Sequence, residues 1–337
     1  LGHGLRINKT LTSINLSGNR LPTLEMQRIA EGLADHQSLS HLTLTGEAVN
    51  DSAALDLGRL IAQASGAGLV SLDLSRSALA GYGTTSINSA LSLNQTLRFL
   101  DLGTNGLSAE CGSTLTASIR RNRCLANVSL ENNLLDDQAA STFGRKLRRD
   151  RQMDHLNLNN NRVGWRGGLD IAAGLALNSH LTWLDVGNNK LGEAGMLVDV
   201  GGKFAAALVK NKTLTRLNME GNTLGPSGGV AIAEALHRNN SLVEINLENN
   251  RLDQDVGFAL EDLLKVNFTL HSVGASVGEV GIDSRETIDN MLAAREKMLE
   301  TTTTHDPSQT RYRESSRNSG GGSVGGGSSN GSVGSLG

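Results

Sequence analysis

The chain has 337 residues, of which 38% are hydrophobic and only 3% aromatic, and its formal net charge is −3. This weak negative charge gives no overall attraction to nucleic acid or to an anionic membrane, and no apolar run approaches the roughly 18 residues that would span a bilayer. Two cysteines, Cys111 and Cys124, are too few for a disulfide scaffold, which favours an intracellular, cytoplasmic location.

An eleven-residue frame, L-x-x-L-x-L-x-x-N-x-L, recurs through the chain and is clearest as LTWLDVGNNKL at residues 181–191. The frames start at residues 11, 39, 69, 97, 125, 153, 181, 214, 242 and 270, and most steps are 28 residues long. The step of 33 predicts a five-residue insertion within 196–200. Residues 1–10 resemble the end of a preceding repeat, so we expect further sequence upstream.

The segments between the frames have the pattern of amphipathic helices. Residues 29–39, 205–214 and 231–242 place Ala and Leu at spacings of three and four. Each repeat is therefore predicted to contain one short strand and one helix, with parallel strands on a concave side and helices on a convex side. The fold class is an α/β solenoid, or horseshoe. The recurrent asparagine of the frame is expected to form a buried ladder comprising Asn19, Asn105, Asn133, Asn161, Asn189, Asn222 and Asn250.

The repeat length and the Ala-rich helix, as in residues 214–242, resemble the ribonuclease-inhibitor-like class of leucine-rich repeat proteins. The resemblance covers residues 1–282 and implies an intracellular protein that binds other proteins. After a degenerate frame at 270–280, helical spacing predicts a capping helix over 283–300, a plan that resembles tropomodulin. Residues 301–337 are rich in Thr, Ser and Gly, which predicts a disordered tail.

No arrangement of residues in the sequence points to catalysis. The histidines lack metal-ligand spacing, and we find neither a phosphate-binding loop nor a nucleophile elbow. We therefore expect a protein that is not an enzyme, with no cofactor, no metal and no small-molecule substrate.

The third residue of each frame points away from the core, so these residues form a row on the concave face. The row includes Phe99, His155, Trp183 and Arg216, and the last three lie on adjacent predicted strands. Trp and Arg often anchor interfaces, although Trp183 packed flat on a neighbouring side chain would explain the pattern without a partner. Acidic residues at the fifth and seventh positions predict an acidic face suited to a basic partner: Asp73, Asp101, Asp185, Glu220 and Glu248.

The convex side carries the opposite charge in two neighbouring repeats. Its basic residues are Arg120, Arg121, Arg123, Arg148, Arg149 and Arg151. One interpretation is a dock for an acidic partner, and the other is that cations at helix C-termini complement the helix dipole. No aromatic residues are interleaved with this patch, which argues against nucleic acid.

These patterns together predict a non-enzymatic scaffold that binds a protein or peptide through its concave face. The resemblance to tropomodulin implies an association with the cytoskeleton or an axoneme. An alternative comes from similarity to Ran GTPase-activating protein, whose Asn-bearing edge the segments 130–133 and 158–161 resemble. In that case the chain would stimulate a small Ran-like GTPase.

Overall fold

The computed structural model describes residues 1–62, 68–79, 81–192 and 198–303. Contacts divide the chain into two compact units, residues 1–292 and residues 293–337. The strands are Ser13–Asn15 (β1), His41–Thr43 (β2), Ser71–Asp73 (β3), Phe99–Asp101 (β4), Asn127–Ser129 (β5), His155–Asn157 (β6), Trp183–Asp185 (β7), Arg216–Asn218 (β8), Glu244–Asn246 (β9) and Ser272–Gly274 (β10). The helices are Gly2–Ile7 (α1), Thr23–Leu33 (α2), Asp51–Ala62 (α3), Gly81–Leu93 (α4), Ala109–Arg121 (α5), Asp137–Leu147 (α6), Trp165–Leu175 (α7), Val200–Lys210 (α8), Gly225–Leu236 (α9), Gln254–Val266 (α10), Val277–Val280 (α11) and Ile282–Thr303 (α12).

The strands form one parallel sheet in sequence order from β1 to β10. Each strand is the third to fifth residue of a frame, and its register pairs equivalent frame positions in neighbouring repeats. Trp183, for example, pairs with His155 on one side and with Arg216 on the other. The predicted α/β repeat solenoid is confirmed, because strand and helix alternate with the period of the frames.

Leucines of the frames fill the space between the sheet and the helices. Leu156, Leu158, Leu181 and Leu184 are all buried, and each fully buried leucine contributes about 2 kcal/mol relative to exposure. Helices α6 and α7 approach closely at Gly144, where an added Cβ would lie 2.3 Å from the backbone oxygen of Asp170. Glycine at this position allows the two helices to pack in contact.

Frame asparagines form the predicted ladder. The amide of Asn133 donates to the carbonyls of Leu102, Leu130 and Glu131, and its oxygen accepts from the backbone N–H groups of Asn105 and Leu107. The expectation of burial is wrong at Asn19, whose side chain is exposed and whose amide donates to the carbonyls of Leu16 and Ser17 in its own frame.

Glu47 replaces asparagine in the frame at 39–49 and makes only the accepting hydrogen bonds of the asparagine. Its carboxylate accepts from the backbone N–H groups of Arg20 at 3.0 Å and Leu21 at 2.6 Å, and it is fully buried. A carboxylate reproduces the acceptor of the asparagine amide but not its donor.

Helix α12 begins one residue before the predicted capping helix and ends at Thr303, three residues beyond it. Ile288 is buried, and Met291 and Leu292 pack against the core of the first unit. Of the tail predicted to be disordered, residues 301–303 belong to α12 and residues 304–337 lie outside the described part of the chain. Residues 196 and 197 of the predicted insertion also lie outside it.

Candidate interaction surfaces

Three side chains on β6, β7 and β8 form a continuous group, which we call the stripe: His155, Trp183 and Arg216. The rings of His155 and Trp183 have centroids 5.9 Å apart and are tilted by 38°. This separation is typical of an aromatic pair, which contributes about 0.5–1.5 kcal/mol beyond area burial. Trp183 is half-buried and therefore presents part of its ring to solvent.

The stripe combines a neutral histidine on β6 with a positively charged arginine on β8. Burial lowers the pKa of His155, Asp154 opposes this shift, and the charge of Arg216 lowers the pKa further. The imidazole is therefore neutral at pH 7. Arg216 lies 3.4 Å from Glu244, but both side chains are about half exposed, so their ion pair is weak and the guanidinium stays accessible.

Phe99 lies on the same face but apart from the stripe. Its side chain is 46% exposed, and Asn127 on β5 separates it from His155. Strands are about 4.8 Å apart, so Phe99 lies roughly 14 Å from Trp183 across three steps of the sheet. The two aromatic residues would contact different parts of an extended partner.

The aspartates predicted to face a partner mostly bond to their own turns. One carboxylate oxygen of Asp73, Asp101 and Asp185 accepts the backbone N–H of the residue two positions later, at 2.8 Å in each case. Burial raises the pKa of Asp101 and of Asp185. The frame's fifth residue is thus a turn-forming position. The recurrent Asn or Asp at this position is the sequence signal for this role, because both side chains bond to the backbone two residues on.

Asp185 does not form part of the exposed surface. It is only 8% exposed, and it also accepts from the side-chain amides of Asn159 at 2.9 Å and Asn218 at 3.0 Å. The interpretation of Asp185 as a partner contact is therefore wrong, because its two oxygens are used to hold three repeats together. Glu220 and Glu248 are half-buried on the same side, and Glu220 accepts from the amides of Asn246 and Asn249.

The predicted basic residues meet at a surface cleft of about 440 Å³, here called the arginine cleft, between the C-terminal ends of α5 and α6. Its lining includes five arginines: Arg120, Arg123, Arg145, Arg149 and Arg151. Arg121 lines an adjacent cleft, and Arg148 is exposed just after α6. Arg145, which the sequence also places beside this set, lies in the last turn of α6 and lines the same cleft.

A buried ion pair forms one wall of the arginine cleft. Lys146 Nζ lies 2.5 Å from Asp150 Oδ2, with the two side chains 4% and 7% exposed. The same ammonium donates to the backbone oxygen of Asn122 at 3.0 Å. Asp150 also accepts from the backbone N–H groups of Gln152 and Met153. The aspartate is thereby used within the fold and does not neutralise the surrounding arginines.

The asparagines compared with those of a GTPase-activating protein occupy two environments. Asn133 and Asn161 are buried in the ladder. Asn132 and Asn160 are exposed at the loop edge with φ of 52°, and the amide of Asn160 donates to Asn132 at 2.7 Å. Any contact with a partner at this edge would therefore be made by the second pair.

Across the described ranges, no group of three or more His, Cys, Asp or Glu side chains could hold a metal ion. None of the helices in those ranges is both long enough and apolar enough to cross a membrane.

A family model described as Leucine Rich repeat matches residues 177–198 and 210–233. The chain is built from leucine-rich repeats. Each repeat combines one strand with one α-helix, as predicted for the ribonuclease-inhibitor-like class. A search among curated proteins finds no match.

Several solved structures are similar to this leucine-rich repeat chain. The leiomodin-1 actin-binding site 2 is 24% identical, with coverage of 51% of this chain and 96% of that one and a TM-score of 0.42. The tropomodulin C-terminal domain of Caenorhabditis elegans is 17% identical, with coverage of 49% and 98% and a TM-score of 0.42. The repeat protein LegL7 of Legionella pneumophila is 18% identical, with coverage of 86% and 92% and a TM-score of 0.44.

Proposed function

We propose that this chain is a non-enzymatic scaffold that binds a protein or peptide through the exposed face of its sheet, with Trp183 as the anchor. The observation that carries the proposal is a partly exposed tryptophan in a chain with 3% aromatic residues, held by His155 and bordered by Arg216. Tryptophan and arginine side chains dominate the energetics of many interfaces, often by about 2 kcal/mol or more each.

The contact between His155 and Trp183 supports this proposal because it fixes the anchor before a partner arrives. A ring that is already ordered loses less side-chain entropy on binding than a mobile one, for which the cost is about 0.5–1.5 kcal/mol. The free face of the indole would take an apolar or cationic group of the partner. Glu220 and Glu248 lie on the same side and would favour a partner that carries basic residues next to that group.

The experiment compares proteins captured from native extract by wild type and by Trp183→Ala with Arg216→Ala. The chain offers a second tryptophan and arginine as a control, because Trp165 and Arg166 lie at the start of α7, with the guanidinium 4.9 Å from the ring centroid and Trp165 packed against the core. We expect the control variant, Trp165→Ala with Arg166→Ala, to retain a captured partner. The stripe variant, Trp183→Ala with Arg216→Ala, should lose it. Thermal melting of both variants separates lost binding from lost folding.

A direct titration follows once a partner is captured. The chain has two tryptophans, so Trp165→Phe leaves Trp183 as the single indole reporter. Binding at the stripe should change its fluorescence in a saturable way. A partner that binds with unchanged Trp183 fluorescence, and equally well to the stripe variant, would refute the proposed surface.

The same purified proteins test the two sequence-based alternatives. Co-sedimentation with filaments measures the cytoskeletal association, and stimulated GTP hydrolysis by a small GTPase measures the regulatory activity. An interaction scaffold predicts that GTP hydrolysis stays unchanged. A rate increase that is insensitive to Trp183→Ala but lost with Asn132→Gly and Asn160→Gly would favour the alternative function at the loop edge.

A further inference from the structure

Two neighbouring helices have two basic residues each in their last turns, whereas α3, α8 and α10 have one each. Helix α5 has Arg120 and Arg121 in its last turn, and α6 has Arg145 and Lys146. The flanking helices α4 and α7 have no basic residue in their last turns. Helices α4 and α7 thus form without cations at their C-termini. Compensation of the helix dipole therefore does not account for the cluster on α5 and α6.

Within the described residues, the guanidinium groups of the arginine cleft have no carboxylate partner. Among the ion pairs between described residues, none includes Arg120, Arg123, Arg145, Arg149 or Arg151. The one carboxylate in the lining, Asp150, is paired with Lys146. Five adjacent unneutralised cations produce a local positive potential in a chain whose net charge is −3. This potential would attract a ligand with several negative charges.

A second cleft extends the arginine cleft along the same edge of the molecule. It measures about 500 Å³, shares Asn122 and Arg123 with the first cleft, and adds Leu93, Gln95 and Arg121. The two clefts therefore form a continuous groove rather than a pocket for one small anion.

Exposed leucines bracket the arginines of this groove. Leu93, Arg121, Arg149 and Leu177 each lie four residues before a frame begins, so they occupy equivalent positions in four successive repeats. Leu93 is 71% exposed and Leu177 is 64% exposed. The row thus reads apolar, basic, basic, apolar across α4, α5, α6 and α7.

We propose that this groove is a docking site for an extended acidic segment of a protein partner, with carboxylates in its centre and an apolar residue at each end. Adjacent packed helices lie about 8–10 Å apart, so the three steps from Leu93 to Leu177 span roughly 24–30 Å. At about 3.3 Å per residue, an extended segment of about eight or nine residues covers that distance. Arginine suits this ligand because its planar fork binds a carboxylate through two parallel hydrogen bonds.

The lining favours a peptide over a nucleic acid. Proteins that bind single strands place aromatic side chains where bases stack, and no described residue that lines either cleft is aromatic. The groove instead has the exposed Leu93 in its lining, and the exposed Leu177 lies at the equivalent repeat position beyond its other end. Both leucines suit the apolar side chains of a peptide. This docking site is separate from the stripe on the sheet and does not depend on it.

The test is fluorescence anisotropy with a labelled peptide of about nine residues that has a central run of glutamates and a leucine at each end. We compare wild type with Arg120→Glu and Arg149→Glu at about 0.1 M salt. The matched control is Arg98→Glu with Arg162→Glu, which changes two exposed arginines elsewhere and gives the same net charge. Circular dichroism verifies the folding of each variant.

We expect saturable binding that weakens by about tenfold or more in the cleft variant and by less than about threefold in the control. Leu93→Ser with Leu177→Ser should weaken binding of the leucine-ended peptide but not of a serine-ended one. Absence of binding, or equal losses in the cleft variant and the control, would overturn the proposal. So would equally tight binding of a single-stranded oligonucleotide of the same charge. Trp183→Ala should leave peptide binding unchanged, because the two surfaces are separate.

Discussion

Asp150 occupies a position that is asparagine in most other repeats, three residues before the frame. The asparagines at this position are Asn8, Asn94, Asn122, Asn178, Asn211, Asn239 and Asn267. Asn122 shows their pattern: its amide donates to the carbonyls of Leu91 and Asn94, and its oxygen accepts from the backbone N–H groups of Cys124 and Leu125. Asp150 retains the acceptor but has no N–H to donate.

Lys146 supplies the missing donor. Its ammonium reaches the carbonyl of Asn122 at 3.0 Å, which matches the bond that the Asn122 amide makes to the carbonyl of Asn94. We therefore interpret the Lys146–Asp150 pair as a replacement for one asparagine. The residue equivalent to Lys146 is alanine in three other repeats: Ala90, Ala207 and Ala235.

This interpretation predicts that two changes compensate each other. Lys146→Ala alone leaves the Asp150 carboxylate buried without its counter-charge and removes the donor to Asn122, which should cost about 3–5 kcal/mol. Adding Asp150→Asn recreates the alanine and asparagine of the other repeats. The free energy of unfolding of the double variant should lie within about 1 kcal/mol of the wild-type value. The two substitutions would then show a large coupling energy, as expected for neighbouring sites.

Urea unfolding followed by circular dichroism measures these differences, provided that the slopes of the transitions agree. Asp150→Asn alone completes the thermodynamic cycle. The reasoning is refuted if the double variant is as unstable as Lys146→Ala, or if Lys146→Ala costs less than about 1 kcal/mol. The double variant also leaves the five cleft arginines in place, so it should still bind the acidic peptide.

Three other predictions concern the fold. Asn133→Ala removes five hydrogen bonds and should destabilise the folded protein by about 3 kcal/mol or more. Asn19→Ala, at an exposed site, should cost under about 1 kcal/mol. The urea midpoints of the two variants measure this difference. Gly144→Ala should lower stability by about 1–3 kcal/mol through contact with Asp170, while Gly278→Ala meets open space and serves as its control in thermal melts. Burial lowers the pKa of His36, with a contribution from Lys9. The unfolded chain then binds more protons below about pH 6.5, so stability should fall on acidification, and His36→Phe should flatten this slope in urea titrations from pH 7.5 to 5.5.

Sequence reasoning predicted the sheet because the frame is periodic. Leucine spacing and parallel pairing place each strand at the third to fifth residue of a frame, and no information beyond the chain was needed. The same periodicity places His155, Trp183 and Arg216 side by side. Periodicity could not reveal that Asp185 is buried, because this depends on whether the amides of Asn159 and Asn218 turn towards it. It also could not show that the Lys146 side chain points inward instead of joining the exposed arginines.

Repeat architecture determines what a departure from the frame means. Every frame position has a fixed environment, so a departure from the pattern at a buried position must be compensated by a neighbouring group. Glu47 satisfies backbone N–H groups where asparagine is absent, and Lys146 with Asp150 satisfies both donor and acceptor. Such departures report on the fold.

Departures at exposed positions need no compensation and are therefore free to serve binding. Trp183 on the sheet is a departure of this kind, since every equivalent residue in the other frames is smaller. The arginines between α5 and α6 differ from their two flanking repeats, where the residues equivalent to Arg121 and Arg149 are Leu93 and Leu177, although Lys210 and Arg238 are basic at the same position further along the chain. The solenoid is stabilised by contacts between neighbouring repeats, so exposed residues on its sheet and on its helix ends can change with little effect on the core. It follows that variants of the stripe and of the cleft arginines should lose binding at nearly unchanged stability, whereas Lys146→Ala alone should lose stability first.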